Sequence, residues 1–565
     1  MGRTSHITPS EHGSNETAKD SNESSGSINL GESSIICVRP KGAVYNILSL
    51  QEDTSNDGSV SFHLNHQSAT DVPESLLDKY LVKEAPEHLR ATDTRKVHVV
   101  VSTRSGTGLA LDCHRSVLQP LLAEFGLSAA AAAAPGGDDD DGKSALLNLV
   151  TTRDAQSIQE FAANLSAGVE HTLVLLSGDG GVVESLNGKA TVDDDVDDDG
   201  DADASAVPSR RPLPLIAMLP LGTGNALFNS LHKGVYAAYY SGGAESAAAE
   251  PSPLVLGLRT LLRGRRAPLP SFRVDFSPGS RQISYRDVAA PGAAAKVEEQ
   301  LRPVTHLYGA IVASYGFHAQ LVWESDTPEY RKHGAKRFGM VAAELLQESH
   351  AYDARVDRNL VLVPSSPVQQ QQSIERQRHA YVLATLVSNL ERTFTISPSS
   401  RPLDGALRLM HFGPVGGERT MEIMTRAYDG GRHVGMTWPA ADGEAGKQEG
   451  VGYEQVGEAR VETREQDARW RKVCVDGTIV ELPLGGSMTV RTEAAAHLDI
   501  LVDPSVVAAA AAAAPTYLSQ VLRDLEWGRL PEHYLPTFLA WTWIYTLTQW
   551  QCLKAGGLDS YWGAS

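Results

Sequence analysis

Leu175-Leu176-Ser177-Gly178-Asp179-Gly180-Gly181-Val182-Val183-Glu184-Ser185-Leu186-Asn187-Gly188 is the stretch whose reading decides the fold. The apolar run from Thr172 to Leu176 has the length of a buried strand, Gly-Asp-Gly interrupts it, and a helix starts directly behind. A strand that ends in such a turn exposes backbone N–H groups where phosphate oxygens can bind. It also leaves one carboxylate, Asp179, at the C-terminal edge of the sheet, able to hold Mg²⁺ or to accept a proton. Asp-Gly is common in ordinary turns, so the surroundings must decide.

Outward from this stretch the same unit recurs. Leu215-Ile216-Ala217-Met218-Leu219 runs into Pro220-Leu221-Gly222-Thr223-Gly224-Asn225, and His98-Val99-Val100-Val101 runs into Ser102-Thr103-Arg104-Ser105-Gly106-Thr107-Gly108 with a helix from Val117 to Leu122 behind it. Leu146 to Val150 leads into a helix from Ala155 to Leu165. Strands alternating with helices predict a mostly parallel, helix-flanked sheet. Three glycine turns then follow three strands of one sheet, at the edge where open α/β sheets bind ligands.

Farther along the chain the texture changes. Phe272 to Phe276, Tyr381 to Val387, Leu407 to His411 and the segments around Val473 to Gly477 and Leu498 to Val502 read as strands between Gly and Pro turns, with a helix near Gly339 to Ser349. The expected organisation is a disordered tail over 1–34, an N-terminal extension over 35–95, an α/β nucleotide-binding domain over 96–255, a β-rich domain over 256–504 and a C-terminal extension over 505–565. The extension carries one strand-like alternation from Ser59 to Leu64 and helical spacing from Glu74 to Val82.

The 565 residues carry a formal charge of −19. Twelve acidic residues sit in two runs, Asp138 to Asp141 and Asp193 to Asp203, which read as solvated insertions rather than as a binding face. No basic surface for nucleic acid is signalled. Cys37, Cys113, Cys474 and Cys552 are widely spaced without a C-x-x-C pair, which excludes a disulfide framework or zinc-finger spacing and fits a reducing compartment. The polar N-terminus has no secretory h-region, and no run reaches the roughly 18 apolar residues of a spanning helix. The aromatic segment from Leu535 to Trp550 reads as a docked C-terminal helix, with interfacial membrane contact as the other reading.

Taken together, these motifs resemble the diacylglycerol kinase catalytic family, and within it the sphingosine kinases. The likeness rests on Ser177-Gly178-Asp179-Gly180 with Glu184, Asn187 and Gly188; Gly222 to Leu227; Tyr315-Gly316-Phe317-His318-Ala319; Glu324-Ser325-Asp326 with Tyr330-Arg331, Gly334 and Arg337-Phe338; Gly431-Arg432-His433; and Val475-Asp476-Gly477. Ser177 and Ala226-Leu227 are the choices similar to sphingosine kinases.

The resemblance implies a three-layer α/β ATP-binding domain followed by a β-sandwich lipid-binding domain, with ATP between them. By position it puts Ser102, Gly106 and Gly108 under the phosphates, has Ser177, Gly178, Gly180, Glu184, Gly222, Thr223, Gly224 and Asn225 frame the nucleotide, and directs Arg331 and Arg337 to its phosphates. Asp179 becomes the general base or a metal ligand, and Asp476 the second metal-side carboxylate for Mg²⁺. The implied activity is transfer of the ATP γ-phosphoryl group to a hydroxyl of a sphingoid base, by a cytoplasmic enzyme that contacts intracellular membranes peripherally.

Three departures stand out. Ser102-Thr103 replace the family's Asn-Pro, Thr478 replaces its last Glu, and Gln320-Leu321-Val322-Trp323 replace residues that recognise the substrate amine. Glu324 is left as a candidate for the lipid head group. Diacylglycerol or ceramide as acceptor, NAD as acceptor, and an inactive lipid-binding protein are the alternative readings.

Overall fold

The computed structural model describes residues 31–55, 58–103, 106–127, 129–130, 147–154, 156–197, 212–240, 250–288, 296–334, 336–360, 371–439 and 448–510. Residues 1–30 of the tail expected over 1–34, the acidic run at 138–141, residues 198–203 of the run from Asp193 to Asp203, the alanine run beyond 510 and the aromatic segment from Leu535 to Trp550 lie outside the described residues. No helix among the described residues is long and apolar enough to cross a membrane.

Strands Arg95–Val101, Leu147–Thr151, Glu170–Ser177 and Leu215–Pro220 pair in parallel, in the spatial order 147–151, 95–101, 170–177, 215–220. Their side chains are apolar on both faces, as a sheet covered twice requires. Helix Asp179–Asp197 covers one face through Val182, Val183 and Leu186, while Pro253–Arg263 and the helical turns from Ala110 to Glu124 cover the other. The successive strands alternate with helices, so all glycine turns emerge at one edge.

The segment Leu498 to Val502, read from sequence with the second half, belongs here instead. Asp499–Val502 pairs in parallel with Leu215–Pro220 and antiparallel with Arg265–Pro268, closing the seven-stranded sheet. Ile500, Leu501 and Val502 are nearly fully buried, and only a sheet clothed on both faces accommodates three consecutive apolar side chains.

Fourteen of the other strands form one continuous antiparallel sheet that curls on itself, with Thr437–Pro439 and Gln448–Gly450 pairing separately. Along Tyr381–Thr385 the side chains alternate: Val382 and Ala384 face the inside of the curl with Phe272, Val461 and Val490, and Tyr381 and Leu383 face outward. The outward set shares a core with Val182, Leu186, Leu227 and Phe228. The period-two pattern therefore joins the curled sheet to the helices that carry the glycine turns.

Residues Glu32–Ser34, expected in the tail, form a short turn anchored by Arg259, whose guanidinium donates to the Glu32 and Ile35 carbonyls at 2.8 Å each. Behind it, strands Ile35–Lys41, Val44–Thr54 and Val60–Ala69 make a separate antiparallel sheet with helix Glu74–Tyr80.

Candidate nucleotide and acceptor site

The three glycine turns meet. A methyl group added at Gly178 would lie 2.8 Å from the Gly222 Cα, and one at Gly222 would lie 2.5 Å from the Gly178 Cα. One at Gly106 would come within 2.8 Å of Thr223 Cγ2 and 3.2 Å of its nitrogen. These approaches are below ordinary contact, so Gly178 and Gly222 touch through bare backbone and Gly106 lies directly against Thr223. Hydrogen bonds fix their order: Leu221 N–H donates to the Ser177 carbonyl at 3.0 Å and Thr107 Oγ1 donates to the Leu221 carbonyl at 2.7 Å. Gly106, Gly108, Gly180 and Thr223 remain exposed along the rim, and Gly178, Gly222, Gly224 and Asn225 are half-buried.

Asn225 takes a left-handed conformation at φ 53°, which Asn tolerates better than most residues. Its amide closes the turn, accepting from Gly222 N–H at 3.1 Å and donating to the Gly222 carbonyl at 2.9 Å. Asp179 sits across from it, accepting from Ala226 N–H at 2.5 Å and from Leu227 N–H at 3.2 Å. Each carboxylate oxygen has one backbone donor and one lone pair to spare. Burial pushes Asp179 up to about 6 against those two donors, close to the range in which a general base works best.

In the first loop, the substitution of Thr103 for proline has a compensation. Thr103 N–H, which proline would lack, donates to Thr152 Oγ1 at 3.1 Å, and Thr103 Oγ1 donates to the Thr152 carbonyl at 3.0 Å. Ser102 N–H continues the sheet, donating to the Leu176 carbonyl at 3.1 Å. Glu184, on the first turns of helix Asp179–Asp197, is raised to about 8 by burial and by the nearby Asp154 carboxylate.

Asp476 is placed by a different device. It has a left-handed backbone at φ 47° after strand Lys472–Val475, and its carboxylate accepts four backbone hydrogen bonds: from Ala310 and Val312 at 2.6 Å each and from Ile311 at 3.1 and 3.2 Å. Burial pushes it up to about 7 despite these donors, and the field of Asp179 adds to the shift.

Three backbone donors, Ala310, Ile311 and Val312, hold the Asp476 carboxylate, which thereby braces the 310–312 bend. Asp179 keeps room for Mg²⁺, which commonly takes one or two carboxylates together with substrate phosphates and water. Among the described residues no three His, Cys, Asp or Glu side chains converge as a closed metal cage.

Asn187 clasps the two halves together. Its side chain accepts from Tyr308 N–H at 2.9 Å and donates to the Tyr308 carbonyl at 2.8 Å, just before the bend that Asp476 holds.

Arg331 and Arg337 converge on Asp326. Arg331 makes a bidentate pair with it at 3.0 and 2.7 Å, and Arg337 approaches it at 3.7 Å. Glu324 accepts from Arg469 at 3.0 Å and from Gln320 at 2.6 Å. Its carboxylate is thus already neutralised by a guanidinium. His433 is buried and bonded to the Ile396 carbonyl at 3.1 Å, a supporting role in the curled sheet.

With the three turns and Asp179 assembled at the edge of one parallel sheet, the segment that carries them can be compared with known families. Residues 96–243 match the diacylglycerol kinase catalytic domain. The matched segment contains all three glycine turns and Asp179.

No curated protein matches the chain. Solved structures similar to it include a diacylglycerol kinase from Bacillus anthracis str. Sterne at 13% identity and a TM-score of 0.39, covering 74% of this chain and 100% of that one. A putative diacylglycerol kinase of the same organism is similar at 14% identity and a TM-score of 0.41, with the same coverage.

Sequence reasoning named Asp179 and the glycines. It missed the amides of Ala310, Ile311 and Val312, which have no side-chain signature, and Thr152, which matters only because Thr103 faces it.

Proposed function

We propose that the protein is an ATP-dependent lipid kinase that transfers the γ-phosphoryl group to a hydroxyl of a long-chain lipid. The observation that carries this reading is the convergence of three glycine turns beside one half-buried carboxylate with spare lone pairs. The lipid O–H gives its proton to Asp179, its oxygen forms the new bond to the γ-phosphorus, and the bond to the leaving ADP oxygen breaks. Mg²⁺, held by Asp179 and the phosphates, would neutralise charge on the transferring group. Arg331 and Arg337 would contribute to that neutralisation by leaving Asp326 for the phosphates.

A sphingoid base is the acceptor that the sequence resemblance implies. The pairing of Glu324 with Arg469 favours an uncharged acceptor, diacylglycerol or ceramide, because an ammonium needs a free carboxylate where it leaves water. The enzyme would act in the cytoplasm, touching membranes peripherally to reach its lipid.

The test is ATP-dependent labelling of sphingosine, ceramide, diacylglycerol and NAD by purified protein and by Asp179→Asn. Labelled lipid from the parent and none from the variant is expected. Labelled NAD would move the reading to a NAD kinase, and lipid binding without ADP release would make it an inactive lipid-binding protein.

A further inference from the structure

We propose that Leu403 is a positioning residue for the phosphoryl transfer, a wedge that sets helix Ala226–Leu231 against the 310–312 bend and thereby places the amides that hold Asp179 and Asp476. The inference rests on the lipid-kinase reading and adds to that site a residue with no chemistry of its own.

The backbone supplies the first observation. Leu403 stands at φ 59°, in the left-handed region where the Cβ of an L-residue crowds the following carbonyl oxygen. Glycine or asparagine meets that conformation at less steric cost, and a leucine persists in it only where the surrounding structure over-determines it. Here it does. The Asp404 carboxylate accepts from Arg401 N–H and from Ala406 N–H at 3.1 Å each, and it pairs with the Arg408 guanidinium at 3.0 Å. Arg408 in turn donates to Ser400 Oγ and to the Ala406 carbonyl, both at 3.1 Å. The turn is thus fastened on both sides of Leu403, which bears the strain.

The side chain supplies the second. Leu403 is half-buried and packs against the core that holds Leu227, Leu231 and Ala310, and it lines one small hollow with those three residues. Ser230, Ser388 and Arg401 belong to the same lining. Leu227 N–H donates to Asp179 Oδ1 at 3.2 Å, and Ala310 N–H donates to Asp476 Oδ2 at 2.6 Å. The walls of one hollow therefore send an amide to each carboxylate, one from the parallel half and one from the curled sheet.

The helix that carries Leu227 is six residues long, and Ala226 and Leu227 open it. Polar bonds hold its far end: Ser230 Oγ donates to the Asn389 carbonyl and accepts from Asn389 N–H, both at 3.0 Å. Its first turn, which faces Asp179, is placed by the apolar side chains packed against Leu227. Interiors are close-packed, so a wedge that shrinks lets its neighbours shift. A shift of an ångström at a reacting group is enough to slow turnover.

The experiment measures kcat and both KM values of the full chain with Mg-ATP and whichever of sphingosine, ceramide and diacylglycerol the parent labels, well below the thermal midpoint of each variant. Leu403→Ala and Leu403→Gly should each lose roughly tenfold or more in kcat, the scale of a misplaced reacting group, with both KM values within about threefold of the parent. Leu403→Gly is free of the left-handed strain, so it carries the test should Leu403→Ala fail to fold, and its loss of turnover assigns the effect to the side chain. Leu403→Met restores the apolar bulk and should return kcat to within about threefold. Leu409→Ala opens a comparable hole inside the curl, outside this lining, and should lower the thermal midpoint while leaving kcat within about threefold. Parent-like turnover in Leu403→Gly, no recovery in Leu403→Met, or an equal loss in Leu409→Ala would overturn the role of Leu403 and leave the kinase reading standing. Absence of any labelled lipid from the parent would overturn both.

Discussion

The edge of the parallel sheet and the acceptor side proposed for the curled sheet position their side chains by opposite means. At the parallel edge, the groups that matter are adjacent in sequence to the strands that position them. Gly178 and Asp179 end one strand, Gly222 to Asn225 end the next, and contact between bare glycines brings them together. On the acceptor side, Asp476 depends on amides more than 160 residues earlier, and Glu324 on an arginine 145 residues later. A local device can be read from a short motif, whereas a long-range one exists only once the sheet has curled.

That contrast can be attacked experimentally. Asp179→Asn keeps the shape of the side chain but removes the base, and turnover should fall by about 10² to 10⁴, measured as ADP release with lipid present. A fall below threefold would show that the parallel edge does not carry the chemistry. The pH profile should show the same group: because Asp179 must be ionised to take the proton and is raised to about 6, kcat/KM should drop about tenfold per pH unit below that point. Asp179→Asn should lose this limb.

Gly222→Ala should cost roughly 1 to 3 kcal/mol, the scale of overpacking a close contact, since the new methyl meets the Gly178 backbone. Chemical denaturation would measure the loss, with ATP affinity weakened in parallel. The smallest effect is expected on the acceptor side. Glu324→Gln disturbs a partly exposed pair with Arg469 and should change stability by no more than about 1 kcal/mol. Its KM for sphingosine should stay within about threefold of the parent; a larger rise would return Glu324 to the role of amine ligand.

Much of the parallel sheet was legible because its strands are short apolar runs punctuated by Gly, and because βα units impose neighbours on one another. The strand Asp499–Val502 was not, since a run of apolar residues says that a strand is covered on both faces but not which sheet covers it. Asp476 could be named from its Val-Asp-Gly motif, whereas its three backbone donors, Ala310, Ile311 and Val312, became visible only with the 310–312 bend beside it.

The sequence by itself determined the glycine turns, the carboxylate at their centre and the alternation that brings them to one edge, because each follows from residues within a few positions of one another. Tertiary structure alone decided which charges stay available. Asp476, Glu324, Arg331 and Arg337 all appear in the sequence as candidate ligands, and in the fold each is bonded to or paired with another residue. Pairing depends on distances between segments far apart in the chain, and no local pattern encodes those distances.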